Sequence, residues 1–587
     1  MLDYNAPVRD MEFVLKELIG YKMIQQLRGC EEVTPDLCSA ILEEAGKFAK
    51  DRLAPLNKAG DMQGSKLVNS HVQTPDGWKK AYDEFRNSGW CGLSVSEEYG
   101  GQGLPKVVAS AVNEMWDSAN MAFGLCPILT AGAIEAIECH GSDSLRQTYL
   151  PKLVSGEWSG TMNLTEPQSG SDLSGVRTKA VPQGDHYLIK GQKIYITYGD
   201  HDLTENIIHL VLARLPDAPE GTQGISLFLV PKYKVDEDGN TCGSNEVRCV
   251  SLEKKLGIHA SPTAVMSFGD QNGSVGYLVG EENKGLMHMF TMMNNARHAV
   301  GREGLAISES AYQLALQYAK TRVQGKVIGG DASSIIGHAD VKKMLMTMKA
   351  MIEAMRGLTY LCAFSFDSAE LSADEETRER AIRRGDYLTP VVKGWCTDNA
   401  QICASLGVQI HGGMGFVEET GAAQYMRDAR ILPIYEGTNG IQALDLIGRK
   451  TLKDGGLGAR ELMEDINATI AGLTNPRLEN IRNLLSISVE DYRESVDWII
   501  QSGRDPELCN SAASNYLELV GLLCGGWVLA TSANIAVKSG SKDDFYVNKI
   551  ITAEFFAVNM LQNTTALCNR ITNGSKFTKE LKLAIFN

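Results

Sequence analysis

Several sequence patterns that mark common enzyme and binding classes are missing from this chain of 587 residues. It has no GxxxxGK[ST] phosphate-binding loop, no GxGxxG after a strand and no HExxH zinc motif. These absences argue against P-loop nucleotide binding, a Rossmann-type dinucleotide site and a zinc peptidase. Because the 10 histidines are scattered, we also expect no metal site.

Long apolar runs, cysteine pairs and an excess of positive charge are missing too. There is no run of 18 or more apolar residues, which predicts no transmembrane helix and no integral membrane association. The first residues, Met1 to Pro7, lack the pattern of a secretory signal. The 13 scattered cysteines form no CxxC pair, which is typical of buried thiols in a reducing compartment. The formal net charge of −15 disfavours binding to nucleic acid. We therefore expect a cytoplasmic protein.

The sequence that remains has an ordinary composition, 43% hydrophobic and 22% charged. Helical periodicity predominates except between about 161 and 281, where short strand-like segments alternate with turns. The patterns predict a mainly α protein with an inserted β domain. The predicted parts are an N-terminal extension (1–34), a helical N-terminal domain (35–160), a middle β domain (161–281), a helical domain (282–455) and an additional helical C-terminal domain (456–587).

Local patterns give more specific predictions in the first half of the chain. Thr34 before a proline predicts a helix start, followed by an apolar face that includes Leu37. Strand-like residues on both sides of Gly191 predict a hairpin. The pair Asn272-Gly273 predicts a tight turn.

Two patterns in the second half also carry predictions. The charged segment 367–384 predicts a solvated helix or connection. The apolar segment 516–536 predicts a helix in the core or at a subunit interface.

One acid lies between an apolar run and two glycines, in the sequence YEGTNGIQ at 435–442. Glu436 at such a junction can be presented by the main chain into a dry pocket. Burial raises the pKa of a carboxyl group toward what a general base needs near neutral pH. The alternative is an exposed acid near a helix N-terminus, where the helix dipole favours negative charge. The local sequence leaves both interpretations open.

Two further segments are rich in small and polar residues. The loop 164–172, LTEPQSGSD, offers close backbone approach and several donors, which suit phosphates and a polar ring edge. It is equally consistent with an interdomain turn. The segment 409–416, QIHGGMGF, has three glycines that let a backbone lie against a ligand, or that end a helix.

Together these segments resemble the acyl-CoA dehydrogenase family of flavoenzymes. The matching motifs are TEPxxGSD at 165–172, IYIT at 194–197, QIHGGMGF at 409–416 and YEGTNGIQ at 435–442, in family order between about 40 and 450. The resemblance implies a central β-barrel-like domain and a C-terminal four-helix bundle. It also implies FAD-dependent oxidation of an acyl-CoA thioester to the trans-2-enoyl-CoA, with an electron-transfer flavoprotein as the electron acceptor.

The resemblance also implies roles for individual residues. Glu436 matches the base that takes the α-proton while flavin N5 accepts the β-hydride. FAD contacts are implied for Leu164, Thr165, Ser171, Tyr195, Thr197, Arg322, Gln324, Gln409, Gly412, Gly413 and Thr438. Substrate contacts are implied for Ser171, Asn294, Arg297, Tyr435 and Gly437.

Two of the departures from the family pattern bear on these assignments. Some relatives carry the base one position before a family arginine that corresponds to Arg297. The residue here is Ala296, which cannot take a proton, so the role stays with Glu436. The stretch Arg322 to Lys326 is one residue shorter than usual, which makes the match of Gln324 less direct.

The N-terminal segment and the additional C-terminal domain resemble a long bacterial subgroup of the family. This resemblance implies β-oxidation-type chemistry on 3-methylmercaptopropionyl-CoA or on medium to long fatty acyl-CoA, and a homodimer. Three alternatives stay open. They are an acyl-CoA oxidase that uses oxygen, a DNA-associated flavoprotein and a catalytically inactive scaffold.

Overall fold

The computed structural model of the protein describes residues 4–326 and 334–586. Met1, Leu2 and Asp3, part of the stretch that carries the targeting prediction, lie outside these ranges. The chain divides into two compact units. Unit 1 holds the described residues of 1–46, 105–114 and 297–587, and unit 2 holds 47–104 and 115–296.

The first part of the chain is helical, with one short β-ribbon. Its elements are α1 (Val8–Phe13), α2 (Tyr21–Gln25), α3 (Pro35–Phe48), α4 (Ala54–Gln63), β1 (Lys66–Val68), β2 (His71–Gln73), α5 (Trp78–Asn87), α6 (Lys106–His140) and α7 (Asp143–Val154). Helix α3 begins as predicted, since the Leu37 N–H donates to Thr34 Oγ1 at 3.2 Å. The predicted apolar face was wrong at Leu37, which is exposed, whereas Ala45 of that face is buried together with Cys38 and Leu42.

The middle part is a β structure that closes on itself. Its strands are β3 (Trp158–Asn163), β4 (Lys179–Gln183), β5 (His186–Thr197), β6 (Asn206–Arg214), β7 (Ile225–Pro231), β8 (Tyr233–Val235), β9 (Thr241–Ser244), β10 (Val247–Leu252), β11 (Thr263–Phe268) and β12 (Ser274–Leu278). The order is β10-β11-β5-β12-β7-β6-β3. Because β4 pairs with both β5 and β6, strands β5, β12, β7, β6 and β4 form a ring. Buried side chains of these strands, including Ile189, Val211 and Phe228, pack together as one core cluster.

The hairpin predicted at Gly191 is wrong, because β5 runs unbroken through that residue. A Cβ atom at position 191 would lie 2.4 Å from Thr178 Oγ1. Glycine is therefore needed for close packing rather than for a turn. Here β5 passes from pairing with β4 and β12 to pairing with β11.

The Asn272-Gly273 segment connects β11 to β12 but does not form a hairpin. Both strands pair with β5 and not with each other. The carboxylate of Glu246 accepts main-chain hydrogen bonds from Asn272 at 2.9 Å and Gly273 at 3.3 Å. A side chain distant in sequence therefore fixes this turn.

The next helices are α8 (Gly285–Thr321), α9 (Ala339–Leu371), α10 (Glu375–His411), α11 (Ala422–Ala429) and α12 (Asn439–Ile447). The prediction of a solvated 367–384 segment is wrong at its start, because Asp367 is buried. Its carboxylate accepts hydrogen bonds from the main-chain N–H groups of Lys106 at 2.7 Å and Val107 at 2.9 Å, in the first turn of α6. Burial raises the pKa of Asp367 to about 7.

The last part of the chain is entirely helical, with α13 (Leu457–Gly472), α14 (Glu479–Ser502), α15 (Pro506–Ser539), α16 (Asp544–Phe556), α17 (Asn563–Asn569) and α18 (Ser575–Lys579). Helix α15 belongs to the core of unit 1, where Gly521 and Gly525 lie against the Trp395 ring of α10. The hydroxyl of Tyr387 lies 2.6 Å from that of Tyr492 and 2.7 Å from that of Tyr516, which joins α10, α14 and α15.

Two described helices, α6 and α15, are long and apolar enough to cross a membrane by length and composition. Most of each apolar window lies inside the protein, 67% in α6 and 72% in α15, as is usual for core helices. The predicted fold, helical at both ends with an inserted closed β structure and an additional C-terminal helical part, is confirmed.

Candidate active site

The loop before α12 holds Glu436 in an unusual backbone conformation. Glu436 has φ of 55° and the next residue, Gly437, has φ of 85°. A residue other than glycine in this region costs about 1–3 kcal/mol and persists only where its surroundings fix it. The Thr438 hydroxyl accepts a hydrogen bond from the Ile441 N–H at 3.3 Å and so caps α12. The chain therefore presents Glu436 on a strained turn at a helix N-terminus.

The carbonyl groups of this turn are held by two side chains. Lys393 of α10 donates from Nζ to the Gly437 oxygen at 2.7 Å and to Asn439 Oδ1 at 2.8 Å. Gln442 Nε2 donates to the Glu436 and Gly437 oxygens, both at 3.3 Å. By contrast, the Glu436 main-chain N–H donates to no residue in the described part of the chain. The turn is fixed on its acceptor side and leaves the Glu436 N–H available for a ligand.

Burial raises the pKa of Glu436 to about 7, while the positive charges of Arg297 and Lys393 pull it down. The Arg297 side chain on α8 is itself buried, and its Nη1 lies 3.8 Å from Asp445 Oδ2 of α12. Ala296 before it is buried as well. At neutral pH this site can therefore hold Glu436 either as a carboxylate or as a carboxylic acid.

Tyr435, which directly precedes Glu436 in the chain, contacts a second acid. Its hydroxyl donates to the carboxylate of Glu303, which lies fully buried on α8. This tyrosine–carboxylate hydrogen bond lies on one side of Glu436 and the Lys393 hydrogen bond to Gly437 on the other, so polar contacts hold the loop on both flanks of Glu436.

In unit 2, a β-bulge exposes Tyr195. In the register of β5 with β11, Ile196 faces Ala264 and Lys193 faces Met266, so two residues of β5 oppose one of β11. Tyr195 has φ of 59° and is 61% exposed. The freed Ile194 N–H donates to the Thr165 carbonyl at 2.9 Å. The bulge thus joins β5 to the loop 164–172.

A buried ion pair between Glu166 and Lys193 fixes the loop 164–172. Glu166 accepts from Lys193 Nζ at 2.8 Å and from the Thr178 hydroxyl at 2.6 Å, and Lys193 also donates to the Leu164 oxygen at 3.0 Å. The hydroxyls of Thr165, Ser171, Tyr195 and Thr197 make no hydrogen bond to any described residue. The loop and the bulge therefore offer free donors on a rigid base, as a ligand site requires.

The other predicted cofactor residues belong to unit 1 and are exposed. Arg322 and Gln324 follow α8, and Gln409, Gly412 and Gly413 lie at the end of α10. The buried His411 ring stacks on Tyr318 with centroids 4.4 Å apart and fixes the end of α10. An added Cβ at Gly412 or Gly413 would meet no atom within 4 Å, so the backbone there is open to a ligand. Asn294, predicted to contact substrate, is half-buried on α8 in unit 2.

Comparison with known proteins assigns the chain to a family. The acyl-CoA dehydrogenase N-terminal, middle and C-terminal domain models match residues 36–157, 161–271 and 283–452, and an acetyl-CoA dehydrogenase C-terminal-like model matches 462–582. The 3-methylmercaptopropionyl-CoA dehydrogenase of Ruegeria pomeroyi is 49% identical over 97% of this chain and 98% of its own length. The chain belongs to the acyl-CoA dehydrogenase family. As a member, it is an FAD-dependent oxidoreductase.

Further relatives cover nearly all of the chain. A butyryl-CoA dehydrogenase of Syntrophomonas wolfei is 34% identical over 95% of both chains. The broad-specificity linear acyl-CoA dehydrogenase FadE5 of Mycobacterium tuberculosis is 33% identical over the full length of both. The solved Bacillus anthracis acyl-CoA dehydrogenase complexed with FAD has a TM-score of 0.76 at 23% identity, covering 96% of this chain and 92% of that one, and shows the same fold.

Two groups near Glu436 in this acyl-CoA dehydrogenase, Lys393 and Glu303, were not predicted from the sequence. The signal for Lys393 was a lone charge in the otherwise uncharged helical run 389–396, TPVVKGWC. Glu303 had no comparable signal, because its partner Tyr435 is 132 residues away in sequence.

Proposed function

We propose that this protein removes hydrogen from Cα and Cβ of an acyl-CoA thioester, with Glu436 as the general base. The observation that carries the proposal is the strained turn, which combines a carboxyl group of raised pKa with an unengaged main-chain N–H. A general base is most effective when its pKa lies near the working pH. This favours catalysis over the alternative of an exposed helix-end acid or an inactive scaffold.

The roles of the chain's own groups follow from this geometry. The Glu436 carboxylate takes the α-proton and becomes a neutral acid. The negative charge that develops on the thioester oxygen requires a hydrogen-bond donor, which the Glu436 N–H supplies. Bound FAD supplies the acceptor for the hydride that leaves Cβ. Arg297 and Lys393 are buried and Glu436 is half-buried, and this partial removal from water strengthens the interaction between their charges.

We propose that FAD is held by the residues whose polar groups or backbone are open to a ligand. In unit 2 these are Leu164, Thr165, Ser171, Tyr195 and Thr197. In unit 1 they are Arg322, Gln324, Gln409, Gly412, Gly413 and Thr438. Of the unit 1 set, we propose that Arg322, Gln324, Gln409, Gly412 and Gly413 serve the cofactor of the other subunit in a homodimer. A tetramer measured by light scattering contradicts the dimer.

We further propose that the substrate is 3-methylmercaptopropionyl-CoA or a fatty acyl-CoA, and that an electron-transfer flavoprotein accepts the electrons in the cytoplasm. The name of the relative at 49% identity supports the first substrate, and the names of the relatives at 33–34% support fatty acyl groups. Substrate contacts are proposed for Ser171, Asn294, Arg297, Tyr435 and Gly437. Peroxide formed in step with substrate consumption supports the oxidase alternative instead.

The test is anaerobic bleaching of the flavin by a panel of acyl-CoAs, from short to long and including 3-methylmercaptopropionyl-CoA. Wild-type protein is expected to bleach with at least one of them. Glu436→Gln is expected to retain its FAD and to bleach at least ~100-fold more slowly, the usual contribution of a general base. Glu507→Gln, an exposed acid in the first turn of α15, is the matched control. Near wild-type bleaching by Glu436→Gln with every substrate overturns the assignment.

A further inference from the structure

Lys393 is a buried lysine that has no carboxylate hydrogen-bond partner among the described residues. Its side chain is inaccessible to solvent, and in the described part of the chain it forms no ion pair within 4.0 Å. Its hydrogen bonds go to two neutral acceptors, the Gly437 carbonyl and the Asn439 amide oxygen. The buried lysines elsewhere are paired, Lys193 with Glu166 and Lys549 with both Asp10 and Glu353.

A lone buried charge is costly, which calls for a compensating use. Burial lowers the pKa of Lys393 to about 7, although several acids oppose this. The charged groups that act on Lys393 are Glu436 on the loop, Asp398 on its own helix α10, and Arg297 and Glu303 on α8. Of the acids, Glu436 has the largest effect, and Lys393 in turn lowers the pKa of Glu436.

The hydrogen bonds of Lys393 also hold the backbone. Asn439 Nδ2 donates to Thr397 Oγ1 at 2.9 Å, to Asp398 Oδ1 at 2.7 Å and to the Gly394 carbonyl at 3.1 Å. The first residue of α12 is thereby fixed to one turn of α10. Lys393 extends this anchor to the carbonyl of Gly437, which directly follows Glu436. Both residues with positive φ lie in the segment that these contacts restrain.

We propose that Lys393 is a positioning residue for the reaction, holding the peptide that follows Glu436 and favouring the carboxylate form of that base by its charge. The inference rests on the proposed role of Glu436. It adds to that role a group that does not touch the reacting atoms and acts through the loop.

The experiment measures anaerobic flavin reduction by a bleaching acyl-CoA as a function of pH in the wild type, Lys393→Met and Lys393→Arg. Methionine keeps an unbranched side chain that is one heavy atom shorter and carries no charge. We expect the acidic limb of the Lys393→Met profile to move up by about one pH unit, since a nearby charge has an effect of this size. The rate at pH 7 is expected to fall at least tenfold. Lys393→Arg keeps the charge and is expected to return the limb to within a few tenths of a unit of the wild type.

The matched control is Lys549→Met, another buried lysine in unit 1, which pairs with Asp10 and Glu353. It is expected to lower thermal stability and to leave the acidic limb in place. FAD absorbance and far-ultraviolet circular dichroism confirm that each variant is folded.

Three outcomes overturn the inference. In the first, Lys393→Met has the pH–rate profile of the wild type. In the second, Lys393→Met is slow but the acidic limb of its profile has not moved, and in the third, the acidic limb of Lys393→Arg matches that of Lys393→Met. Failure of the underlying function is recognised separately. If Glu436→Gln bleaches almost as fast as the wild type, the proposed function itself fails. If Glu436→Gln is inactive while Lys393→Met behaves like the wild type, only the role of Lys393 is overturned.

Discussion

Tyr435, the residue directly before the proposed base Glu436, donates a hydrogen bond from its hydroxyl to the buried carboxylate of Glu303. Because a charge-assisted hydrogen bond to a buried group is costly to break, Tyr435→Phe is expected to destabilise the protein by about 1–3 kcal/mol. Thermal unfolding measures this change. Glu303→Gln supplies the other arm of a double-mutant cycle, and additive effects of the two changes contradict a direct coupling.

The pKa of Glu436 predicts how flavin reduction depends on pH. Only the carboxylate can take a proton, and burial raises its pKa to about 7. The rate is therefore expected to rise roughly tenfold per pH unit below neutrality and to level off near pH 7. Stopped-flow reduction across pH 5 to 8, taken as approximate limits for a group of this pKa, tests this. A lower limb centred near the ordinary glutamate value contradicts it.

The same raised pKa affects stability, with a defined sign. At pH values between the ordinary glutamate pKa and about 7, the folded state binds the Glu436 proton more tightly than the unfolded state does. This contribution to stability is present at low pH and is lost as pH rises through about 7. Glu436→Gln removes the charge, so it is expected to unfold at a higher temperature than the wild type near pH 8, by roughly a few degrees. Equal midpoints at pH 8 count against a buried carboxylate.

The Glu166–Lys193 ion pair is expected to support the loop 164–172. Lys193→Met leaves Glu166 buried without its cation, a change that typically costs about 3–5 kcal/mol. Lys179→Met, at an exposed position on β4, is the control. Because Lys193 and hydrogen bonds lower the pKa of Glu166 to about 2, the Glu166 carboxylate contributes fully above the ordinary glutamate pKa and loses its contribution as pH falls toward 2. Acid unfolding of the variant is expected to lack this component.

Helix α15 is expected to depend on its small residues. A Cβ atom at Gly521 would lie 2.2 Å from Cγ of Trp395, so Gly521→Ala must displace the ring or the helix. We expect a loss of about 1–3 kcal/mol and a change in tryptophan fluorescence. Gly448→Ala is the control, since an added Cβ there meets nothing within 4 Å and its φ is −80°. Equal stability of the two variants contradicts close packing at Gly521.

The order of helical and β parts could be predicted from sequence because periodicity and caps are local properties. Thr34 capping α3 and the strands β6 and β7 follow from such patterns. The hairpin expected at Gly191 failed because a glycine required for packing against Thr178 has the same local sequence signature as a turn glycine.

The sequence by itself determined that Glu436 lies between an apolar run and a glycine turn, and that the chain carries four motifs of one family. Only the tertiary structure decided what surrounds that acid. Lys393 lies 44 residues before Gly437, whose carbonyl accepts its hydrogen bond. The charge of Lys393 matters for Glu436 only because folding buries the lysine side chain away from water. Such contacts join distant parts of the chain and leave no periodic pattern, so they arise with the packed core rather than with the local sequence.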